Sequence, residues 1–397
     1  MSTVQRFKAA IVGCGDRSLG GYFPFVNQVY DLVATCDEIE ERAKQTARIF
    51  EADAYYADID TMLAKSDVDV VIILTNMASH GELALKSVQA GKHVMLQKPF
   101  CTDMETGLEV IRIAREKNLK ILVEPNYWVN PIYQKAKEIL NEGHIGMVHY
   151  ALGRTERGWI PLWGGKTFYE EAGGGMLFDM GVYIISALVY MLGPALAVSG
   201  SARISLPDRP PKYSDDHFTN FLKTYHHSDD PSGYRKPGPT ESERVPAENK
   251  VFDNTFTLIE WPNDCLGCVI ANSVSIVLPP EGARIVLCGD KGTMAFGMQG
   301  AGAPLSVATL DASSPYYVPG TGTSERERAG WYHFTEMGGQ RGAGGGYLRS
   351  MQELHEAIVN DSQPNASMDY GMHVAEIMIK SFASARSGRR RRLITKF

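Results

Sequence analysis

Short apolar runs alternate with amphipathic stretches through the first third of the chain. Residues 7–12, 31–36, 68–74, 93–96 and 121–124 have the continuous aliphatic character of strands buried on both faces. Residues 22–30, 38–50, 59–64, 83–90 and 102–117 instead space their apolar side chains for helices. Strand alternating with helix predicts right-handed crossovers and a doubly wound parallel α/β sheet of the Rossmann type. Beyond about residue 125 the pattern changes. Residues 147–155, 197–205, 251–261, 266–277 and 283–288 read as successive strands without a helix between each pair, which predicts an α+β domain on a mostly antiparallel open sheet. Helical spacing returns at 176–192, 346–360 and 369–387. Two domains, 1–125 and 126–397, follow, as a length of 397 residues already favours. Residues 206–250, rich in Pro, Asp, His and Lys with little periodicity, read as a polar insertion or lid.

Candidate chemistry gathers at the ends of the first-domain strands, where ligands bind in open parallel sheets. The first strand runs into Gly13, Cys14, Gly15, Asp16, Arg17 and Ser18 before a helix. Gly13 permits a tight turn, Gly15 lets backbone N–H groups approach a pyrophosphate, and Ser18 stands where a third glycine is usual. Asp37 ends the second strand about 20 residues on, where a carboxylate accepts hydrogen bonds from an adenosine ribose and repels a 2′-phosphate. That favours NAD over NADP; an N-cap role for the next helix is the alternative reading of Asp37, and both roles can hold together. Thr75, Asn76 and His80 lie in the turn after the 68–74 strand. Gly91 stops a helix, 93–96 forms a strand, and Pro99 forbids its continuation, so Lys98 is held at a strand end beside Gln97. In the second domain Gly173, Gly174 and Gly175 open the apolar helix that carries Asp179 and Tyr183 on one face.

Composition narrows the ligand class. A net charge of -6 with 22% charged residues supplies no general attraction for nucleic acid or an anionic membrane. The basic run 389–392 reads as a solvated or subunit-facing edge. No apolar run approaches the roughly 20 residues that span a bilayer. Six scattered cysteines without a framework, and no secretory leader, suit a reducing cytoplasm. Cys265 and Cys268 form a lone C-x-x-C inside a strand pattern, and His226, His227, Asp229 and Asp230 cluster in a polar loop; neither is read as a metal site. No internal repeat is present.

Taken in order, 11–15, Asp37, 69–76 with His80, 90–94 leading to Gln97-Lys98-Pro99, 143–146, 173–175 with Asp179 and Gly181, and 289–293 resemble the Gfo/Idh/MocA family of nicotinamide-dependent oxidoreductases, which includes glucose-fructose oxidoreductase and inositol dehydrogenases. The resemblance runs over nearly the whole chain. It implies an N-terminal dinucleotide domain, a C-terminal domain whose open sheet serves homo-oligomer contacts in a dimer or tetramer, and a substrate held between them. It also implies NAD as cofactor, a sugar or polyol as substrate, and a cis Lys98-Pro99 bond. Two positions depart from the family pattern: Gln97 replaces the usual Glu before Lys-Pro, and Tyr183 replaces the usual His four residues after Asp179. Without a carboxylate at 97, Lys98 is expected to lose its proton more easily than in a Glu-Lys-Pro relative.

The roles implied are proton transfer by Tyr183, lowering of the Tyr183 pKa or polarisation of the carbonyl by Lys98, and orientation of a substrate hydroxyl by Asp179. Gly13, Gly15, Asp16, Arg17, Ser18, Asp37, Thr75, Asn76, His80, Gln97, Lys98 and Asn126 are the cofactor-binding candidates. The expected activity is hydride transfer between NAD(H) and a hydroxyl or keto carbon of a sugar, cyclitol or related polyol. A redox-neutral hydrolase or lyase working through a transient keto-sugar, and a non-catalytic NAD sensor, are the alternatives.

Overall fold

A computed structural model describes residues 6–158, 168, 173–213, 215–225, 244–275, 284–297, 304–321, 329–334 and 345–397. Six strands, β1 (Lys8–Val12), β2 (Asp31–Cys36), β3 (Ala54–Tyr56), β4 (Val70–Ile73), β5 (His93–Leu96) and β6 (Ile121–Val123), form a sheet of order β3-β2-β1-β4-β5-β6. All its pairings are parallel. The strands read as unbroken apolar runs because successive side chains go to opposite covered faces. Ala10, Val12, Val71, Ile73, Val94 and Leu96 face one core, and Ala9, Ile11, Val70, Ile72, Met95 and Leu122 face the other. β3 is not announced by the pattern; it is three half-buried or exposed residues at the sheet edge.

Two helical expectations change. Residues 22–30 are no single helix: Asp16–Gly21 and Phe23–Val26 are two short ones. The next helix is Glu40–Phe50, capped by Ile39 without a side-chain bond, so Asp37 is not its N-cap.

The second sheet has nine strands among the described residues: β7 (Val148–Gly158), β8 (Ala197–Arg203), β11 (Asn254–Glu260), β12 (Leu266–Ser275), β13 (Arg284–Gly289), β14 (Gly292–Gly297), β15 (Ser306–Thr309), β16 (Tyr332–His333) and β17 (Arg391–Arg392). Pairing is antiparallel except between β7 and β12 at its centre. Helix Val182–Leu192 lies across one face, packing Ile184, Leu188 and Val189 into a core with Ala151, Val198, Ile259 and Val269. The other face leaves Tyr150, Phe256, Leu258 and Leu266 exposed.

The polar stretch after residue 206 is more ordered than its composition suggests. β9 (Asp208–Tyr213) pairs with β10 (Arg244–Glu248), and helix Asp215–Thr224 lies between them in the chain. Phe218 and Leu222, with Tyr225 just past the helix, recur at helical spacing and sink into the first-domain core. The surrounding Asp, Lys and His mask that short stripe in sequence. His226, His227, Asp229 and Asp230, and most of the 157–166 and glycine-rich 338–346 stretches that read as loops in the sequence, lie outside the described residues. Among the described residues no group of His, Cys, Asp and Glu could hold a metal, and no helix is long and apolar enough to cross a membrane.

The basic run is an edge strand: β17 pairs with β8, and Arg390 grips Glu260 with bonds of 2.6 and 2.5 Å. Behind it, the buried Glu376 of helix Met368–Ser387 accepts the N–H groups of Ile394 (2.8 Å) and Thr395 (2.9 Å), the Thr395 hydroxyl and the Lys380 ammonium. Removing that carboxylate leaves four partly buried donors without their acceptor. Glu376→Ala should therefore cost about 3 kcal/mol or more in denaturant unfolding; a loss below about 1 kcal/mol would show that the tail is held by something else.

Candidate active site

The glycine loop is built for close approach. Gly13 has φ +94, and a Cβ there would lie 2.8 Å from the Leu74 carbonyl carbon and the Thr75 nitrogen. A Cβ at Gly15 would meet nothing within 4 Å, so the loop presents open backbone on that side. The Ser18 hydroxyl is buried and donates to the Gly13 carbonyl, closing the loop internally. Asp37 braces it from β2: its Oδ2 accepts the Cys14 N–H at 2.7 Å and its Oδ1 the Ile39 N–H at 2.9 Å. Burial pushes the Asp37 carboxyl up, while those two donors hold it down. A carboxylate has about four lone-pair sites, so Asp37 keeps acceptor capacity for a ribose. Asp16 is exposed at the start of the following helix.

Lys98 projects from the end of β5, after which the Lys98-Pro99 bond is cis, in line with the implied geometry. Its Nζ donates to the Asp179 carbonyl (2.6 Å) and to Asp179 Oδ1 (2.7 Å), with the ion pair largely shielded from solvent. Asp179 is placed by an irregularity. Gly175 has φ +82 with the Phe252 carbonyl where a Cβ would be, and Leu177–Gly181 then runs as a π-helical turn before helix Val182–Leu192. Such turns recur at functional sites. Tyr183 follows one turn on, nearly buried, with the Lys98 ammonium 4.9 Å from its ring centroid. The structure thus brings Lys98, after a strand of the first sheet, together with Asp179 and Tyr183 from the helical segment 177–192.

The carboxylate acting on Lys98 is Asp179, so an absent glutamate at 97 does not leave the lysine unpaired. Burial alone would lower Lys98, but Asp179 and then Tyr183 outweigh it and hold the ammonium above its usual value. Gln97 is committed elsewhere, its Nε2 donating to Tyr22 Oη at 2.6 Å.

The remaining candidates brace the frame. His80 is buried, with Nδ1 2.8 Å from the Pro99 carbonyl and Nε2 3.2 Å from the Thr75 carbonyl. Burial lowers it to about 4, so near neutrality the ring carries one N–H and ties the 75–80 turn to the Lys98 turn. Thr75 Oγ1 shares a 2.8 Å hydrogen bond with Ser79, and Asn76 Oδ1 accepts the Ser79 N–H at 3.1 Å. Asn126 Nδ2 donates to Glu353 at 2.6 Å, and its Oδ1 accepts the Trp128 N–H at 3.2 Å.

Sequence reasoning missed Tyr22, Tyr347 and Glu124. Tyr22 stacks on Tyr347 with centroids 4.6 Å apart, and Arg17 Nη1 donates to Tyr347 Oη at 3.2 Å. Tyr347 lies 330 residues from Arg17 in sequence, and no local signal announces it. Glu124 did carry a signal, the one used for Lys98: a charged residue before a proline at a strand end, here also a cis bond.

Glu124 is buried and its Oε1 has no hydrogen-bond partner. Burial pushes its carboxyl up from 4.5 to about 7, with Glu353 adding to the rise and the Asn126 N–H and Arg17 opposing it. An acid whose folded-state value is raised favours folding below its unfolded value and loses that contribution as pH rises through the folded value. Stability should therefore decline between pH 4.5 and about 7, by about 3 kcal/mol from this group. Urea unfolding across that range checks it: Glu124→Gln should remove this part of the slope, and an unchanged slope would exclude Glu124 as its source.

Residues 7–125 match the GFO_IDH_MocA oxidoreductase family with NAD-binding Rossmann fold, and residues 133–295 match the GFO/IDH/MocA C-terminal domain. The chain is similar to D-glucoside 3-dehydrogenase of Escherichia coli K12, 26% identical over 293 residues that cover 73% of this chain and 76% of that protein. It is also similar to levoglucosan dehydrogenase of Pseudarthrobacter phenanthrenivorans, 27% identical over 237 residues covering 58% of this chain and 56% of that one. The chain spans between about half and three quarters of the length of the first curated relatives it matches. A solved levoglucosan dehydrogenase in complex with NADH and levoglucosan has the same fold, with TM-score 0.73 and 20% identity over 98% of this chain and 99% of that one. The two matched segments, and the sheets they correspond to, show that this chain belongs to the Gfo/Idh/MocA oxidoreductase family, with an NAD-binding Rossmann domain at its N-terminal end.

Proposed function

We propose that this chain oxidises a hydroxyl of a sugar, cyclitol or related polyol, or reduces the matching ketone, with NAD(H). The observation that carries this reading is the meeting of Lys98, Asp179 and Tyr183 beside an open glycine loop. Similarity to dehydrogenases named for glucosides and levoglucosan supports the substrate class. The loop fits a dinucleotide: the Gly15 side is open, and Asp37 retains acceptor sites at the end of β2. Bound there, NAD supplies a hydride acceptor.

The chain's own residues then handle position and proton. In oxidation the carbinol C–H pair leaves as hydride, and the hydroxyl proton passes to Tyr183 Oη and on to solvent. Two of the three Lys98 N–H bonds are taken by Asp179, which leaves the third for the substrate oxygen. Because Asp179 keeps Lys98 cationic near neutrality, Lys98 polarises that oxygen and Tyr183 serves as the base. Asp179 then acts chiefly by aiming Lys98, a different emphasis from holding a substrate hydroxyl.

The exposed stripe of Tyr150, Phe256, Leu258 and Leu266 on the open sheet supports homo-oligomerisation through that face. Sedimentation velocity should show a dimer or larger species, and a monomer at micromolar concentration would refute it. All six cysteines are free thiols, which supports a cytoplasmic location; recovery from the medium would contradict it.

NADH production at 340 nm over a panel of glucosides, levoglucosan and inositols tests the activity. Lys98→Met and Tyr183→Phe should each lower kcat by about 100-fold or more, while NADH affinity changes less than about threefold. Near-normal turnover in both variants would remove these residues from the chemistry, and substrate consumption without NADH would point to redox-neutral chemistry.

A further inference from the structure

We infer that Arg17 makes the substrate site selective for anionic polyols, with sugar acids such as hexuronates and aldonates as the ligand class. The inference rests on the dehydrogenase reading above and deepens it. Arg17 stands in the first turn of helix Asp16–Gly21, just after the glycine loop, where a cofactor contact is the first expectation. Its side chain instead extends to Tyr347, donating from Nη1 to the phenol oxygen at 3.2 Å.

That contact is on a fixed wall. The Tyr347 ring lies so close to Gly21 that a Cβ there would be 2.9 Å from it, and it stacks on the buried Tyr22 at 4.6 Å. Tyr22 is in turn pinned by Gln97 from the residue next to Lys98. These contacts lead from Arg17 to the neighbour of Lys98, and Tyr183 and Asp179 lie within electrostatic reach of the guanidinium.

Charge balance then argues for the ligand. Lys98 and Asp179 neutralise one another at 2.7 Å. Glu124 also lies within electrostatic reach of Arg17, but it is buried, with its carboxyl pushed up to about 7. Among the described residues no carboxylate lies within ion-pair distance of Arg17, whose side chain is open to solvent. Among the described residues, Arg17 is thus an accessible cation near the proposed site without a carboxylate at ion-pair distance. A guanidinium presents a planar fork of donors that fits a carboxylate bidentately and gains less from a neutral hydroxyl. The guanidinium N–H groups not used on Tyr347 could equally meet a pyrophosphate, and this is the rival outcome of the test.

The test compares kcat/KM for matched pairs with NAD+: D-glucuronate and D-glucose, D-galacturonate and D-galactose, D-gluconate and D-glucitol. For the wild type at least one acid should exceed its neutral partner by roughly tenfold or more, as a charge-assisted bond predicts. Arg17→Met, which keeps the stem and removes the fork, should bring that ratio near one with NADH Kd changed less than about threefold, and Arg17→Lys should restore part of it. Fluorescence titration of the enzyme–NADH complex with D-glucuronate and D-galacturonate reads binding without turnover. Arg17-dependent binding of an acid with no turnover of any compound would uphold the inference while sinking the dehydrogenase reading. Neutral partners favoured by the wild type would overturn it, as would absence of both turnover and acid binding. A tenfold weaker NADH Kd in Arg17→Met with an unchanged ratio would assign Arg17 to the cofactor instead.

Discussion

The buried pair between Lys98 and Asp179 is the contact on which the site depends. Lys98 follows a strand of the first sheet and Asp179 lies in the turn before the helix laid on the second, so the 2.7 Å bond ties the two halves together. Desolvating two charges offsets much of their attraction, so the pair is weak support for stability and much stronger support for geometry. It fixes the direction of the ammonium, keeps it charged despite burial, and leaves one N–H free.

Around this pair the frame satisfies itself before any ligand arrives. Ser18 closes the glycine loop, Asp37 ties it to the end of β2, and His80 ties two strand-end turns together. Gln97, Tyr22, Tyr347 and Arg17 form a second set of contacts reaching from β5 to the cleft. Groups whose hydrogen bonds are already made do not reorganise on binding, and such pre-organisation lowers the cost of placing a ligand. Several residues with an expected cofactor role, Asn76 and Asn126 among them, are observed in this supporting work. Such a role is compatible with lying beside the cofactor.

What the chain determined locally was legible. Buried parallel strands need apolar residues on both faces, which made the first sheet readable from runs such as Val70–Ile73. A glycine turn between strand and helix, an acid ending the next strand, and a lysine before a proline each state a backbone requirement within a few residues. Tertiary structure alone decided the rest. The partner of Lys98 lies 81 residues away, and that of Arg17 330 residues away, separations at which no periodicity operates. Helix Asp215–Thr224 was hidden because its apolar stripe is short and its purpose is to cover a core built by other segments. Local sequence thus specified which elements form and where reactive groups emerge, because those depend on neighbours in the chain. Which charges meet depended on how the two sheets pack, because electrostatic interaction follows distance in space.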